Sequence, residues 1–151
     1  MELRSIEDTE NFSKKISKII SDINIIFLYG EIGVGKTTFV RFLINSLEAK
    51  KNFKESEVLS PTFNIVYHYN IGGIKILHYD LYRIKKYNEI LELGIFETSG
   101  DHIKIIEWPE LIKQKPKDRI DIMFKYLESN NSREVKIVGY GKWKDYKFNE
   151  I

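Results

Sequence analysis

Between Leu28 and Phe42 the chain reads "LYGEIGVGKTTFVRF"; Gly30, Gly35, Lys36 and Thr37 fit G-x-x-x-x-G-K-[ST], with a further glycine at Gly33. No other stretch restricts the fold as strongly, because this pattern works as a turn between a strand and a helix start. Both neighbours are present. "NIIFLYG" is a continuous apolar run of the kind a strand buried on both faces shows. A helix beginning near Lys36 carries Phe39, Leu43 and Leu47 on one side. The glycines let the backbone close tightly, so that its N–H groups point at phosphate oxygens, and the helix start adds its positive dipole end. Glu31, Ile32, Gly33, Val34, Gly35, Lys36, Thr37 and Thr38 are therefore the candidate phosphate cradle. Lys36 would reach the β- and γ-phosphates, and the Thr37 hydroxyl would ligate Mg²⁺.

The remaining pattern predicts an α/β chain. "SIEDTENFSKKISKIISD" places Phe12, Ile16, Ile19 and Ile20 at helical spacing, with acids near its start. "TFNIVYHYN" and "IKILHYD" flank "NIGG" as a hairpin, and "DRIDIMFKYLE" and "REVKIVGY" flank "SNNS" as another. "NEILELGIFE" reads as a short amphipathic helix ending at Gly94, "HIKIIEW" as an apolar strand stopped by Pro109, and "KKNFKESEVLSP" as a surface loop. The expected architecture is a P-loop NTPase-type mixed sheet, with a parallel core, antiparallel hairpins added and helices on both faces. At 151 residues, positions 1–151 are expected to form one such domain. The chain has no cysteine, which excludes disulfides and thiolate metal sites. Its apolar runs are too short to span a membrane and its start lacks a signal-peptide pattern, so a cytoplasmic protein is expected.

A phosphate loop needs an acid at the end of another core strand, to serve Mg²⁺ or the attacking water. Asp80 closes "IKILHYD" and Glu107 closes "IKIIE". Both would face the crevice beyond the strand ends, where ligands bind in open α/β sheets. Each has a plainer reading as a loop cap or a partner of Arg83 or Lys104. "SPTF", Ser60 to Phe63, lies where a γ-phosphate-sensing switch would lie, or is simply a proline-containing approach to a strand. His68 and His78 alternate with apolar residues and read as structural. Trp108 follows Glu107 directly, which leaves packing and nucleotide or partner contact both open.

The class of chemistry is narrowed by what is missing. There is no N-K-x-D guanine-reading motif and no D-x-x-G switch, since Asp80 continues as "DLYR". Arg41, Arg83, Arg119 and Arg133 are scattered, without the compact arginine-bearing lid a small-molecule kinase would carry. ATP is expected over GTP, and hydrolysis over phosphoryl transfer. A kinase would show ATP consumption stimulated by a metabolite. A nucleotide-gated binding module without hydrolysis would tolerate Asp80→Ala but not Lys36→Ala. Net charge is +2, and no basic stripe with interleaved aromatics favours direct nucleic-acid binding.

"GEIGVGKTTFVR", "SPTFNIV", "HYDLYRI", "ELGIFE" and "IIEWPE", in that order and spacing, resemble the TsaE (YjeE) family from about Thr9 to Arg133. The resemblance implies a bacterial ATPase that supports tRNA N6-threonylcarbamoyladenosine synthesis, working on a TsaB–TsaD assembly and meeting tRNA only indirectly. It further implies that Lys36 and the loop amides hold phosphates, that Thr37 and Glu107 ligate Mg²⁺, and that Asp80 serves hydrolysis. Thr62 matches the family's switch-loop threonine. Thr9 matches a threonine in a segment near the nucleotide base, and Arg133 an arginine approaching the nucleotide; a helix cap and a hairpin charge are their plainer readings. Where family members often carry alanine or glycine, the first helix here has "NFSKKISKI", a departure that bears on packing.

Overall fold

The apolar run after Asn24 forms the central strand of the sheet. In the computed structural model, which describes residues 1–97, 102–127 and 132–148, β2 spans Ile25–Tyr29 and pairs in parallel with β5 (His102–Glu107) and β6 (Arg119–Tyr126). Strand β4 (Ile74–Asp80) extends the parallel core beyond β5. Antiparallel partners close both sides: β3 (Val66–Ile71) on β4, and β7 (Arg133–Tyr140) on β6. A two-residue strand β1 (Glu2–Leu3) pairs with β7, so the seven strands run in the order β1-β7-β6-β2-β5-β4-β3. The expected mixed sheet is borne out, and only β1 had no sequence signal. The connection at 128–131, which contains most of "SNNS", lies outside the described residues.

Side-chain alternation sorts the strands into two apolar layers. On one face, Ile26, Leu28, Ile76, Ile105 and Ile122 meet helices α1 (Ile6–Ile16) and α2 (Lys36–Lys50) through Phe12, Ile16, Phe39 and Leu43. On the other, Phe27, Leu77, Tyr79 and Ile106 meet the short helix α3 (Tyr87–Glu92) through Ile90, together with Ile84, Ile95 and Ile112. Full burial of each such aliphatic or aromatic side chain stabilises the fold by about 1.5–3 kcal/mol.

Helix α1 starts at Ser5, whose Oγ accepts from the Asp8 amide at 3.0 Å. It stops at Ile16 rather than running through Ile20: Ser17 turns its hydroxyl onto Lys14 O, and Ile20–Asp22 tightens into a separate 3₁₀ turn. The loop after α2 is exposed as expected but tethered. Buried Glu48 accepts from the Ser56 amide at 2.8 Å and from its hydroxyl, and Val58 enters the core. Among the described residues no helix is long and apolar enough to cross a membrane.

Candidate phosphate-binding cleft

Strand β2 ends against the backbone of β6, and this close approach shapes the loop that follows. A Cβ on Gly30 would stand 2.4 Å from Phe124 O, and Gly30 has φ +135°. Gly35 caps α2 at φ +116°. From there Phe39 N donates to Gly35 O at 2.9 Å, which starts the helix and aims its first amides at the cleft. Lys36 folds back over the loop. Its Nζ donates to Gly30 O at 2.6 Å and Glu31 O at 2.9 Å, and sits 4.0 Å from the centre of the Trp108 ring. Burial lowers the Lys36 pKa, opposed by the negative charges of Glu107, Asp80 and Glu110.

The acids reach the same place through strand register. Asp80 and Glu107 are direct neighbours across the parallel β4–β5 pair. By alternation both face α2, on the side of Ile76 and Ile105, as does His78. Thr37 Oγ1 donates to Glu107 at 2.9 and 3.1 Å from the two carboxylate oxygens. His78 Nε2 lies 2.8 Å from Glu107 Oε1. Asp80 Oδ2 accepts from Thr62 Oγ1 at 2.5 Å and Ser60 Oγ at 3.4 Å, and Oδ1 from the Tyr82 amide at 2.9 Å. The "SPTF" turn is thereby fastened to the strand acid. Trp108 adopts φ +58°, ψ +55°, a conformation costing a non-glycine residue about 1–3 kcal/mol. It turns its ring onto Lys36 and against Tyr82, centroids 4.9 Å apart.

Two adjoining hollows result. One, about 210 Å³, is lined by Ile32, Gly33, Lys36–Thr38, Thr62 and both acids, with Ser60, Tyr82 and Trp108 at its rim. The other, about 150 Å³, shares Gly33, Gly35 and Thr38 and brings in Val34, Thr9 and Arg133. The β1–β7 pair sets Leu3 opposite Arg133 and carries the start of α1 to the loop. Arg133 Nε donates to Val34 O at 3.3 Å, and Thr9 Oγ1 to Ser5 O at 3.3 Å. Every sequence-predicted site residue but one lines a hollow; Glu31 is exposed on the loop and offers its carbonyl to Lys36.

Sequence reasoning did not place Tyr82 at the cleft, nor His78 against Glu107. The available signal was parity: His78 precedes Asp80 by two residues on one strand and so must share its face. His68, also read as structural, lies on β3 away from these acids. The described residues contain no group of three or more His, Asp or Glu side chains able to hold a metal by themselves. Mg²⁺ is ordinarily held by one or two protein oxygens together with phosphates, and the adjacent Thr37 hydroxyl and Glu107 carboxylate fit that need.

A strand, a glycine-rich loop and a helix heading a mixed sheet, with strand-end acids facing the loop, define the P-loop NTPase fold class. The family model described as "Threonylcarbamoyl adenosine biosynthesis protein TsaE" matches residues 3–135. The chain belongs to the TsaE family. Similar proteins, each named "tRNA threonylcarbamoyladenosine biosynthesis protein TsaE", include one from Rickettsia bellii, 37% identical over 85% of this chain and 87% of that protein. One from Aquifex aeolicus is 36% identical over 89% and 92%, and one from Bacillus subtilis 30% identical over 89% and 82%. A crystal structure of Bacillus subtilis YdiB shares the fold at TM-score 0.72, covering 99% of this chain and 90% of that one at 24% identity.

Proposed function

We propose that this chain binds ATP with Mg²⁺ in the cleft, hydrolyses it slowly, and thereby supports tRNA N6-threonylcarbamoyladenosine synthesis in the cytoplasm by acting on a TsaB–TsaD assembly. The observation that carries this reading is the convergence of Lys36, Thr37, Asp80 and Glu107 at one end of three neighbouring parallel strands. The names of the relatives support the pathway. The triphosphate lies along the amides of 31–38, with Lys36 adding positive charge. The nucleoside extends toward the hollow of Thr9 and Arg133, next to the same loop. Thr37 and Glu107 would hold Mg²⁺, which when bound supplies charge neutralisation at the phosphates.

Asp80 stands beside the γ-phosphate position and orients the attacking water. Its bond to Thr62 links that position to the "SPTF" turn, so loss of the phosphate alters a segment whose Phe63 is 82% exposed. Among the described residues no arginine lines the hollow where Lys36, Asp80 and Glu107 meet, and Arg83 lies against the Phe63 ring instead. Without such a charge turnover is typically slower by about 10³–10⁵.

Phosphate release should therefore be very slow for the chain alone. It should rise clearly with purified TsaB and TsaD and vanish in Lys36→Ala. Rapid hydrolysis by the isolated chain, or stimulation by a small-molecule acceptor instead of the pair, would overturn the reading.

A further inference from the structure

The functional reading uses both strand acids but leaves His78 without a task. Its surroundings are costly for a polar ring. The side chain is fully buried (0% exposed), on a strand face whose other core position, Ile76, is aliphatic. Across β5 its register neighbour is Ile105, and Leu77 and Tyr79 on either side point to the opposite face. A core position of this kind is normally filled by a hydrophobe, since a buried polar group must be hydrogen-bonded to be tolerated.

Among the described residues the single compensation is Glu107. Nε2 lies 2.8 Å from Glu107 Oε1, while Nδ1 has no hydrogen-bond partner among the described residues. An ionised carboxylate only accepts, so the ring nitrogen facing it must carry the proton, and Nδ1 is the nitrogen that can stay bare. The same Oε1 also accepts from Thr37 Oγ1 at 2.9 Å. The imidazole on one side and the hydroxyl on the other hold the carboxylate in one orientation at the head of α2.

We propose that His78 is a positioning residue, whose Nε2–H fixes the Glu107 carboxylate against Thr37 and so presets the oxygen pair that would receive Mg²⁺. The inference rests on the reading of the cleft as an ATP–Mg²⁺ site. Outer hydrogen bonds to metal-binding carboxylates have this effect in general, and their loss typically lowers metal affinity about 10–100-fold.

The test compares the full-length chain with His78→Leu, which keeps most of the volume but removes the donor, and His78→Gln, which restores an Nε2–H. ADP binding is measured by calorimetry without Mg²⁺ and across a Mg²⁺ series, and folding by a thermal melt. His78→Leu should bind ADP normally without Mg²⁺ yet need about 10–100-fold more Mg²⁺ for the enhanced affinity, with His78→Gln recovering most of the loss. A folded His78→Leu with the unsubstituted Mg²⁺ requirement overturns this inference alone. Failure of the unsubstituted chain to bind ADP at any Mg²⁺ concentration overturns the functional reading and this inference with it. Should His78→Leu not fold, ring-nitrogen NMR of the unsubstituted chain decides. A proton on Nε2 whose resonance moves in Glu107→Gln supports the role, and a proton on Nδ1 overturns it.

Discussion

At the scale of single residues, the loop glycines separate two kinds of constraint. At Gly30 a methyl group meets Phe124 backbone at 2.4 Å, whereas at Gly35 it meets nothing within 4 Å and only the positive φ resists. Gly35→Ala should therefore cost about 1–3 kcal/mol of backbone strain. Gly30→Ala should cost distinctly more, as urea unfolding of the two variants will show. Asp80→Asn keeps a side chain able to bond Thr62, so nucleotide affinity should hold within a few-fold while phosphate release falls; equal loss of both would contradict the assigned role. On the face away from α1, Asp121 is buried beside Arg119 Nε at 3.0 Å, and burial raises its pKa above the ordinary 3.8 against the pull of that guanidinium. A raised folded-state value gives stability that is complete below 3.8 and is lost as pH rises through the raised value. The stability of the unsubstituted chain relative to Asp121→Asn should thus decline from about pH 4 upward in pH-dependent urea titrations. Lys36, Thr37, Asp80 and Glu107 were legible because motif and strand end announce them. The place of Tyr82 and the His78–Glu107 contact were not, because sequence spacing records neither which strands become neighbours nor how the chain turns beyond a strand end.

At the scale of elements, α1 is held by its cap, by the Ser13 hydroxyl on Phe39 O and by buried Phe12 and Ile16. Ser5→Ala removes the Oγ bond to Asp8 N and should cost about 1 kcal/mol. Phe39 packs on Phe12 with ring centroids 5.1 Å apart and is fully buried, so Phe39→Ala should cost about 3–5 kcal/mol by thermal or urea unfolding. The larger loss should come with weaker nucleotide binding, since the Phe39 ring, packed on Phe12 and Phe124, anchors the first turn of α2 behind the phosphate loop. Both hairpins and the central strand were readable from alternation and from apolar runs bounded by turns. The end of α1 was not, because Ile19 and Ile20 continue the helical spacing while Ser17 bends the backbone. β1 holds two residues, too few to show any period, yet it carries the Thr9 segment to Arg133. That proximity was available only through family resemblance.

At the scale of the whole molecule, the cleft couples binding to global stability. ATP with Mg²⁺ at about 100 times its dissociation constant should stabilise the fold by about 2.7 kcal/mol, read as a raised melting temperature that Lys36→Ala abolishes. The two faces of the sheet also bear on which lengths the gene can vary. His78, Asp80 and Glu107 share the cleft because β4 and β5 keep one parity from end to end. Loss of a single codon inside β4 would force a choice between shearing the β3–β4 hairpin by one residue and presenting Tyr79 or Leu81 to Thr62. Loss of a codon from the exposed 51–55 stretch would change the parity of no strand. A library of one-codon deletions, sorted for ADP binding, should therefore tolerate gaps in that connection and reject them throughout Ile74–Asp80.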